Sequence, residues 1–241
     1  MSKKIYGIPA TTPFNPNKFG AVKTVNGTAP DENGNVELDD IATLKQQVAD
    51  LMYEPIAISS LSVSPSRVEL GSKINEVTAT WTLNKEPASQ TFDGGDVPVA
   101  DRRIVRTSDA GWKSNTMFVL TATDERNLTV EKSAALTFAN GVYYGVLEDG
   151  IEIDSADILT LFRKLQTTKA MNFEANAGAS QRIAYALPVH YGTPAFKVGG
   201  FDGGFSLAAT IDFTNASGYT ESYNVWLSDN TGLGSTAVNV S

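Results

Sequence analysis

Apolar residues recur at every second position in several short segments after residue 55. One such segment alternates threonine with Val77, Ala79, Trp81 and Leu83. The same period is present over residues 118–122, 207–213 and 223–227. Because successive side chains of a strand point to opposite faces of a sheet, this period is typical of half-buried β-strands. The sequence therefore predicts a mainly β fold.

The spacing of these strands predicts two β-rich domains. Residues 55–140 contain short strands separated by turn-forming residues, which is typical of an immunoglobulin-like sandwich with Trp81 in its core. Residues 141–241 return to strands, which predicts a C-terminal β-sandwich. Four of its apolar residues follow the spacing of one helix face: Ile158, Leu161, Phe162 and Leu165. We therefore expect one helix there, over residues 154–169.

A short helical segment, residues 40–53, precedes the β-rich part. Its apolar residues lie in steps of three, four and three: Ile41, Leu44, Val48 and Leu51. This is the a/d seam of a short coiled coil. Since a helix of about 12–15 residues is marginal in water, residues 41–54 are predicted to be an oligomerisation helix. The alternative is an ordinary amphipathic helix that packs on its own chain.

Residues 1–40 predict an anchor rather than a packed domain. Pro9, Pro13 and Pro16 exclude a helix and favour an extended arm, and the Asn-Gly pairs at residues 26 and 33 predict a small β-hairpin after it. The arm has apolar side chains that we expect to dock on a partner: Ile5, Tyr6, Ile8, Phe14 and Phe19. A floppy terminus is the alternative.

Charge and composition exclude several classes of function. The formal net charge is −8, whereas binding to a phosphate backbone needs a basic surface, so no nucleic-acid partner is expected. No run approaches the about 20 apolar residues of a membrane span, so no membrane insertion is expected. No apolar region follows the opening MSKK, which predicts synthesis in the cytoplasm. The chain has no cysteine, which excludes thiolate chemistry.

Catalytic and metal-binding patterns are weak. His190 is the single histidine, and the sequence does not indicate which carboxylate would orient it. The acidic residues between 148 and 157 could bind calcium, but they lack the spacing of a calcium loop. We therefore expect no catalytic residue, no metal site and no cofactor.

A candidate ligand platform lies in the C-terminal part. Residues 199–204 read GGFDGG, which lacks the lysine of a phosphate loop; Asp202-Gly203 is predicted to be a hairpin turn. Aromatic residues in this and neighbouring segments could bind sugar rings: Tyr191, Phe201, Tyr219 and Trp226. Simple core packing is the alternative interpretation of these residues.

Longer stretches of the chain resemble a known family. The opening KKIYGIPATTPFNPNKFG, the segment VNGTAPDENGNVELDD and the strands in TWTLNKEPASQTFDG and FVLTATDERN resemble bacteriophage virion appendage proteins, namely head fibres and tail or baseplate fibres. The later segments NGVYYGV, ALPVHYG and VGGFDGG are similar to the distal domain of the same group.

The resemblance implies a homotrimeric, non-enzymatic structural protein of the virion, made in the cytoplasm of the bacterial host. Its arm would dock on another virion protein, such as the capsid, portal or baseplate, and its outer domains would face the host surface. The trimer is implied by the resemblance alone, because β-branched residues at a with leucine at d favour two strands in an isolated coil. The alternatives are a carbohydrate-binding adhesin that recognises host surface glycans and, third, a polysaccharide-degrading enzyme.

Overall fold

The computed structural model describes residue 29 and residues 39–241 of the chain. The predicted docking arm, with Ile5, Tyr6, Ile8, Phe14 and Phe19, and the predicted hairpin lie outside these described residues, apart from residue 29. The first described element is the helix α1, Asp39–Leu51, which contains the predicted seam. Residues Ile56–Ser241 form one compact unit, and α1 belongs to the other.

Strands dominate the unit that begins at Ile56, as the alternating sequence predicts, so the prediction of a mainly β fold is confirmed. Its elements in chain order are β1 Ile58–Ser64, β2 Arg67–Glu69, β3 Ile74–Leu83, β4 Ser89–Phe92, β5 Gly95–Val97, β6 Arg103–Trp112, β7 Thr116–Thr123, β8 Thr129–Glu148, α2 Ser155–Thr160, β9 Phe162–Gln166, β10 Met171–Ala177, β11 Gln181–Pro188, β12 Phe196–Val198, β13 Phe201–Asp202, β14 Phe205–Thr214, β15 Thr220–Ser228 and β16 Gly234–Val240.

The strands of the described residues form three sheets. One has the order β1-β3-β6 and another the order β10-β16-β12-β13. The large sheet follows the path β14-β15-β11-β8-β7-β4-β5, with β2 and β9 also paired to β8. Neighbouring strands are antiparallel except for β2, which runs parallel to β8.

The 20-residue strand β8 organises the large sheet. It pairs with β7 through residues 129–136, with β9 through residues 140–144 and with β11 through residues 143–148. The predicted domain boundary between residues 140 and 141 therefore lies inside a continuous strand.

Apolar side chains from two sheets meet in the first core, which contains only residues before 140. Trp81 from β3 is buried there, stacks on Phe92 at 6.3 Å and donates from Nε1 to Gln90 Oε1 at 3.1 Å. Phe118 and Leu136 come from the facing large sheet. The apolar face of β3 is therefore covered by this core and its threonine face is not, which explains the alternation in its sequence.

The second half of the large sheet is covered on both faces. Ile183, Tyr185 and Leu187 of β11 pack toward the β10-β16-β12 sheet, whereas Ala184 and Ala186 pack toward α2 and the β14-β15 pair. Because both faces of β11 are buried, its sequence reads as a nearly continuous apolar run rather than an alternating one.

The predicted helix over residues 154–169 is wrong in its extent. Asp154 caps α2 by accepting from the backbone N–H groups of Ala156 and Asp157, but α2 ends at Thr160 and the chain continues as β9. Pairing with β8 satisfies the backbone groups of β9, so a sheet edge overrides the helical spacing.

The predicted hairpin turn at Asp202-Gly203 is also displaced. Val198 of β12 pairs with Phe201 of β13, so the turn lies at Gly199-Gly200. Both glycines have positive φ, at 56° and 92°, which the type I′ form of a two-residue hairpin turn requires.

Candidate functional site

The apolar seam of α1 is exposed in the single chain. The exposed fractions are 44% for Ile41, 57% for Leu44, 50% for Val48 and 86% for Leu51. On the polar side of the helix, Gln46 Nε2 donates to Asp50 Oδ1 at 3.1 Å. The four predicted oligomerisation residues thus form an apolar stripe that the described part of this chain leaves uncovered.

A second candidate site is a cleft of about 620 Å³ that we call the His190 cleft. Its apolar wall comes from the end of β2 and the middle of β8, with Leu70, Phe138 and Ala139. Its polar wall is built from the chain around residues 167–169 and 190–191 and from β15. Lone His190 therefore lies in a cleft and not in an isolated turn.

Glu221 holds the centre of the polar wall. Its Oε1 lies 2.5 Å from His190 Nδ1, and its Oε2 accepts from the buried Asn140 Nδ2 at 2.9 Å. The carboxylate is only 21% exposed, while the imidazole is 57% exposed. Glu221 therefore fixes the orientation of the His190 ring and leaves part of that ring open to the cleft.

Two tyrosines border this centre. Tyr191 packs edge-on against the His190 ring at 4.6 Å and donates its hydroxyl to Gln166 O at 2.6 Å. Burial raises the pKa of Tyr191, and the charge of Glu221 acts in the same direction. Tyr191 is therefore a fixed, neutral wall of the cleft.

Tyr219 is held at the rim by its loop. Asn215 Oδ1 accepts from the Tyr219 N–H at 3.0 Å, and Asn215 Nδ2 donates to Leu70 O at 2.9 Å. Gly71 has φ of +88°, and a Cβ at this position would lie 2.6 Å from Tyr219 Cβ. A glycine at 71 is therefore required for this close approach.

The structure brings together half of the predicted ligand platform. Tyr191 and Tyr219 line the His190 cleft. Phe201 lies on β13 and is 80% exposed, and Trp226 packs on Phe196 beside the second core at 5.7 Å. Neither of these two lines the cleft.

Sequence reasoning missed the residues that complete the cleft. Asn140 and Lys169 come from separate elements, and Glu221 is 31 positions beyond His190. The one usable signal was the lone histidine, because its partners are set by strand pairing and not by spacing.

A buried polar network lies beneath the same region. The Glu69 carboxylate accepts from Tyr143 Oη at 2.8 Å and from Arg163 Nη1 at 2.6 Å. Burial, followed by the hydrogen bond to Glu69, raises the pKa of Tyr143 well above its usual range. This network connects β2, β8 and β9 and supports the apolar wall of the cleft.

Acidic side chains between residues 148 and 157 bond to other groups of the same chain. Glu148 accepts from Gln181 and Ser180, and these hydrogen bonds, that of Gln181 first, lower its pKa. Asp149 pairs with Arg182 at 2.5 Å. Within residues 39–241, no group of three or more histidine and acidic side chains is arranged to hold a metal ion.

Two further observations complete the description of the chain. No described helix is long and apolar enough to cross a membrane. Comparisons of the chain with known protein families, with curated proteins and with solved structures return no match.

Proposed function

We propose that the chain is the protomer of a homotrimeric bacteriophage appendage, a head fibre or a tail or baseplate fibre, in which α1 forms the coiled-coil stalk. The observation that carries this proposal is the exposed seam of Ile41, Leu44, Val48 and Leu51 on α1. The role is structural and non-enzymatic, and it requires no cofactor.

A second and third copy of the chain are the natural cover for this seam. The helix has 13 residues, a length at which isolated helices are marginal in water. Side chains at a and d positions bury each other when parallel helices associate. The same association would hold the β-rich units of the copies around one axis.

The remaining parts of the proposal follow from the resemblance to virion appendages. Three chains, rather than the two that the seam favours by itself, agree with that family, and the flanking parts of the chain would set the count. Residues 1–40 would dock on a capsid, portal or baseplate protein, which places the chain in the virion. The unit Ile56–Ser241 would be displayed outward as an immunoglobulin-like sandwich and a distal β-sandwich.

Multi-angle light scattering of the purified chain tests this proposal. We expect a trimer at micromolar concentration, and we expect the double variant Leu44→Asp/Leu51→Asp to be monomeric because two charges per helix would be forced into the seam. The double variant should keep the β-sheet circular dichroism of the wild type, since α1 and Ile56–Ser241 are separate units.

The matched control places two charges outside the seam of the same helix. The double variant Thr43→Asp/Gln46→Asp should remain trimeric, because residues 43 and 46 occupy the outward c and f positions. A wild-type chain that stays monomeric would overturn the proposal, as would a double variant that remains trimeric.

A further inference from the structure

We propose that the His190 cleft is a binding site for a neutral saccharide unit. The proposal goes beyond the appendage role and does not rest on it, because every residue of the cleft belongs to Ile56–Ser241 of a single chain. A monomeric chain would leave the cleft intact.

The size and lining of the cleft fit a small ligand with both apolar and polar faces. Its volume of about 620 Å³ lies within the range of small-molecule sites, about 300–1,000 Å³. Apolar residues from β8 line one side, and charged and hydroxyl side chains line the other. A sugar ring presents the same division, since its C–H face is apolar and its edge carries hydroxyl groups.

Tyr219 provides the surface for the apolar face of the sugar. The residue is 38% exposed, and its backbone is fixed by Asn215 and by the close approach of Gly71. A fixed aromatic ring binds a flat apolar face with little loss of side-chain entropy. Leu70 and Phe138 continue this apolar surface into the cleft.

Glu221 and His190 provide oriented partners for hydroxyl groups. A carboxylate accepts about four hydrogen bonds; Glu221 accepts one from Asn140 at Oε2 and contacts His190 Nδ1 through Oε1, so acceptor positions remain for a ligand. The imidazole Nε2 of His190 points away from the nitrogen that contacts Glu221 and can bond a second hydroxyl group. Both groups are held in place before a ligand arrives.

Further polar groups lie within the same wall. Lys169 Nζ donates to Thr193 O at 2.6 Å, which leaves two of its three donors. Thr167 and Thr168 also line the cleft and bring two hydroxyl groups to this wall. Donors and acceptors are therefore mixed, as the hydroxyl groups of a sugar require.

The charge balance favours a neutral ligand over an anion. The positive charge of Lys169 is offset by the carboxylate of Glu221 at the centre of the polar wall. A phosphate, sulfate or uronate would approach that carboxylate, and like charges in a cleft repel. A neutral saccharide avoids this cost and uses Glu221 as an acceptor.

Binding of the full chain to an array of neutral and acidic oligosaccharides tests the proposal. We expect binding to neutral glycans, and titration calorimetry of the best neutral glycan should give an affinity that falls at least about tenfold in Tyr219→Ala and in Glu221→Gln. Tyr219→Phe should bind like the wild type, because it keeps the aromatic face.

Phe201→Ala is the matched control. Phe201 is a more exposed aromatic residue than Tyr219 but lies outside the cleft, so its loss should leave affinity unchanged. Thermal melting of each variant separates lost binding from lost folding. The proposal would be overturned by a wild-type chain that binds no neutral glycan or only acidic ones, or by equal affinity of folded Tyr219→Ala and wild type.

Discussion

At the scale of single residues, Glu69 is a buried acid whose partners are all distant in the sequence. It is 4% exposed and has two donors, Tyr143 and Arg163, that lie 74 and 94 positions away in the sequence. A buried carboxylate costs free energy unless it is paired and hydrogen-bonded, and here both oxygens are used. The partners are set entirely by the pairing of β2 and β9 with β8, so they could not be predicted from sequence spacing.

Replacement of Glu69 by alanine should lower the free energy of unfolding by about 2–3 kcal/mol. Most of this loss comes from the buried Tyr143 hydroxyl, which would be left without an acceptor. The loss of the Arg163 pair adds less, because that side chain is 43% exposed and water screens it. Urea denaturation followed by tryptophan fluorescence measures the change.

A double-mutant cycle isolates the network from general effects of truncation. Tyr143→Phe removes the orphaned hydroxyl, so Glu69→Ala should cost less in that background than in the wild type. Glu131→Ala, which removes an exposed carboxylate from β8, should change stability by less than about 0.5 kcal/mol. Additive effects of Glu69→Ala and Tyr143→Phe would contradict the proposed coupling.

At the scale of elements, β8 shows why a glycine is needed within a strand. A Cβ on Gly141 would lie 2.7 Å from Tyr143 Cε2 and 2.9 Å from Tyr143 Oη. The Tyr143 ring cannot move away freely, because it packs on Phe213 at 5.0 Å and its hydroxyl is bonded to Glu69. Glycine therefore gives this buried ring the space that it occupies.

Gly141→Ala should accordingly destabilise the protein by about 1–3 kcal/mol, the usual cost of overpacking a core. The fall in melting temperature or in urea midpoint would measure it. Gly178→Ala is the matched control, because its Cβ would come no closer than 3.3 Å to another residue, at Gln181 Oε1. Equal stability of the two variants would show that the Tyr143 ring is free to shift.

Some of these elements can be predicted from the sequence, and others cannot. Alternation located β3, β7, β14 and β15, and in β3 and β7 its cause is one buried face and one more exposed face. The spacing of Ile158, Leu161 and Phe162 misled, because Phe162 begins a strand at a sheet edge. Spacing reports only which side chains are apolar, and the pairing of β9 with β8 depends on tertiary structure.

The two candidate sites also differ in how far the sequence predicts them. The seam of α1 is local, so its four residues could be selected from spacing alone. The His190 cleft is assembled from β8, the chain before β10, the turn after β11 and β15. Two of its tyrosines were among the predicted platform residues, but Glu221 and Asn140 could be placed beside His190 only by the sheet register.

At the scale of the whole molecule, residues Ile56–Ser241 contain three separate apolar cores, and the strand β8 runs through the parts of the chain that form them. The first core contains only residues before 140 and the other two only residues after 141. The predicted division into domains 55–140 and 141–241 stays a prediction, since both parts belong to one compact unit. The strand β8 nevertheless crosses the division, and β2 and β9 pair with it on either side of residue 140.

The pairing of β8 predicts that the unit cannot be divided at residue 140. Removal of residues 1–55 should leave a folded protein with one cooperative transition, because all three cores lie in Ile56–Ser241. The fragment 56–140 should be largely unfolded, since Glu69 would lose both of its donors and Leu70 O the Asn215 amide. Fragment 141–241 would lose Asn140, which forms the first pair of β8 with β9, and Glu69, which accepts the hydrogen bond of the Tyr143 hydroxyl.

Thermal melting and proton NMR dispersion of the three fragments provide the measurement. We expect native dispersion for 56–241 alone, and we expect a mixture of 56–140 and 141–241 to regain part of it, because the two fragments keep complementary sheet edges. If 56–140 and 141–241 were each as stable by themselves as within 56–241, β8 would be only a linker between two independent domains. The shared strand and the buried Glu69 network argue against two independent domains, because both place the partners of one half in the other half.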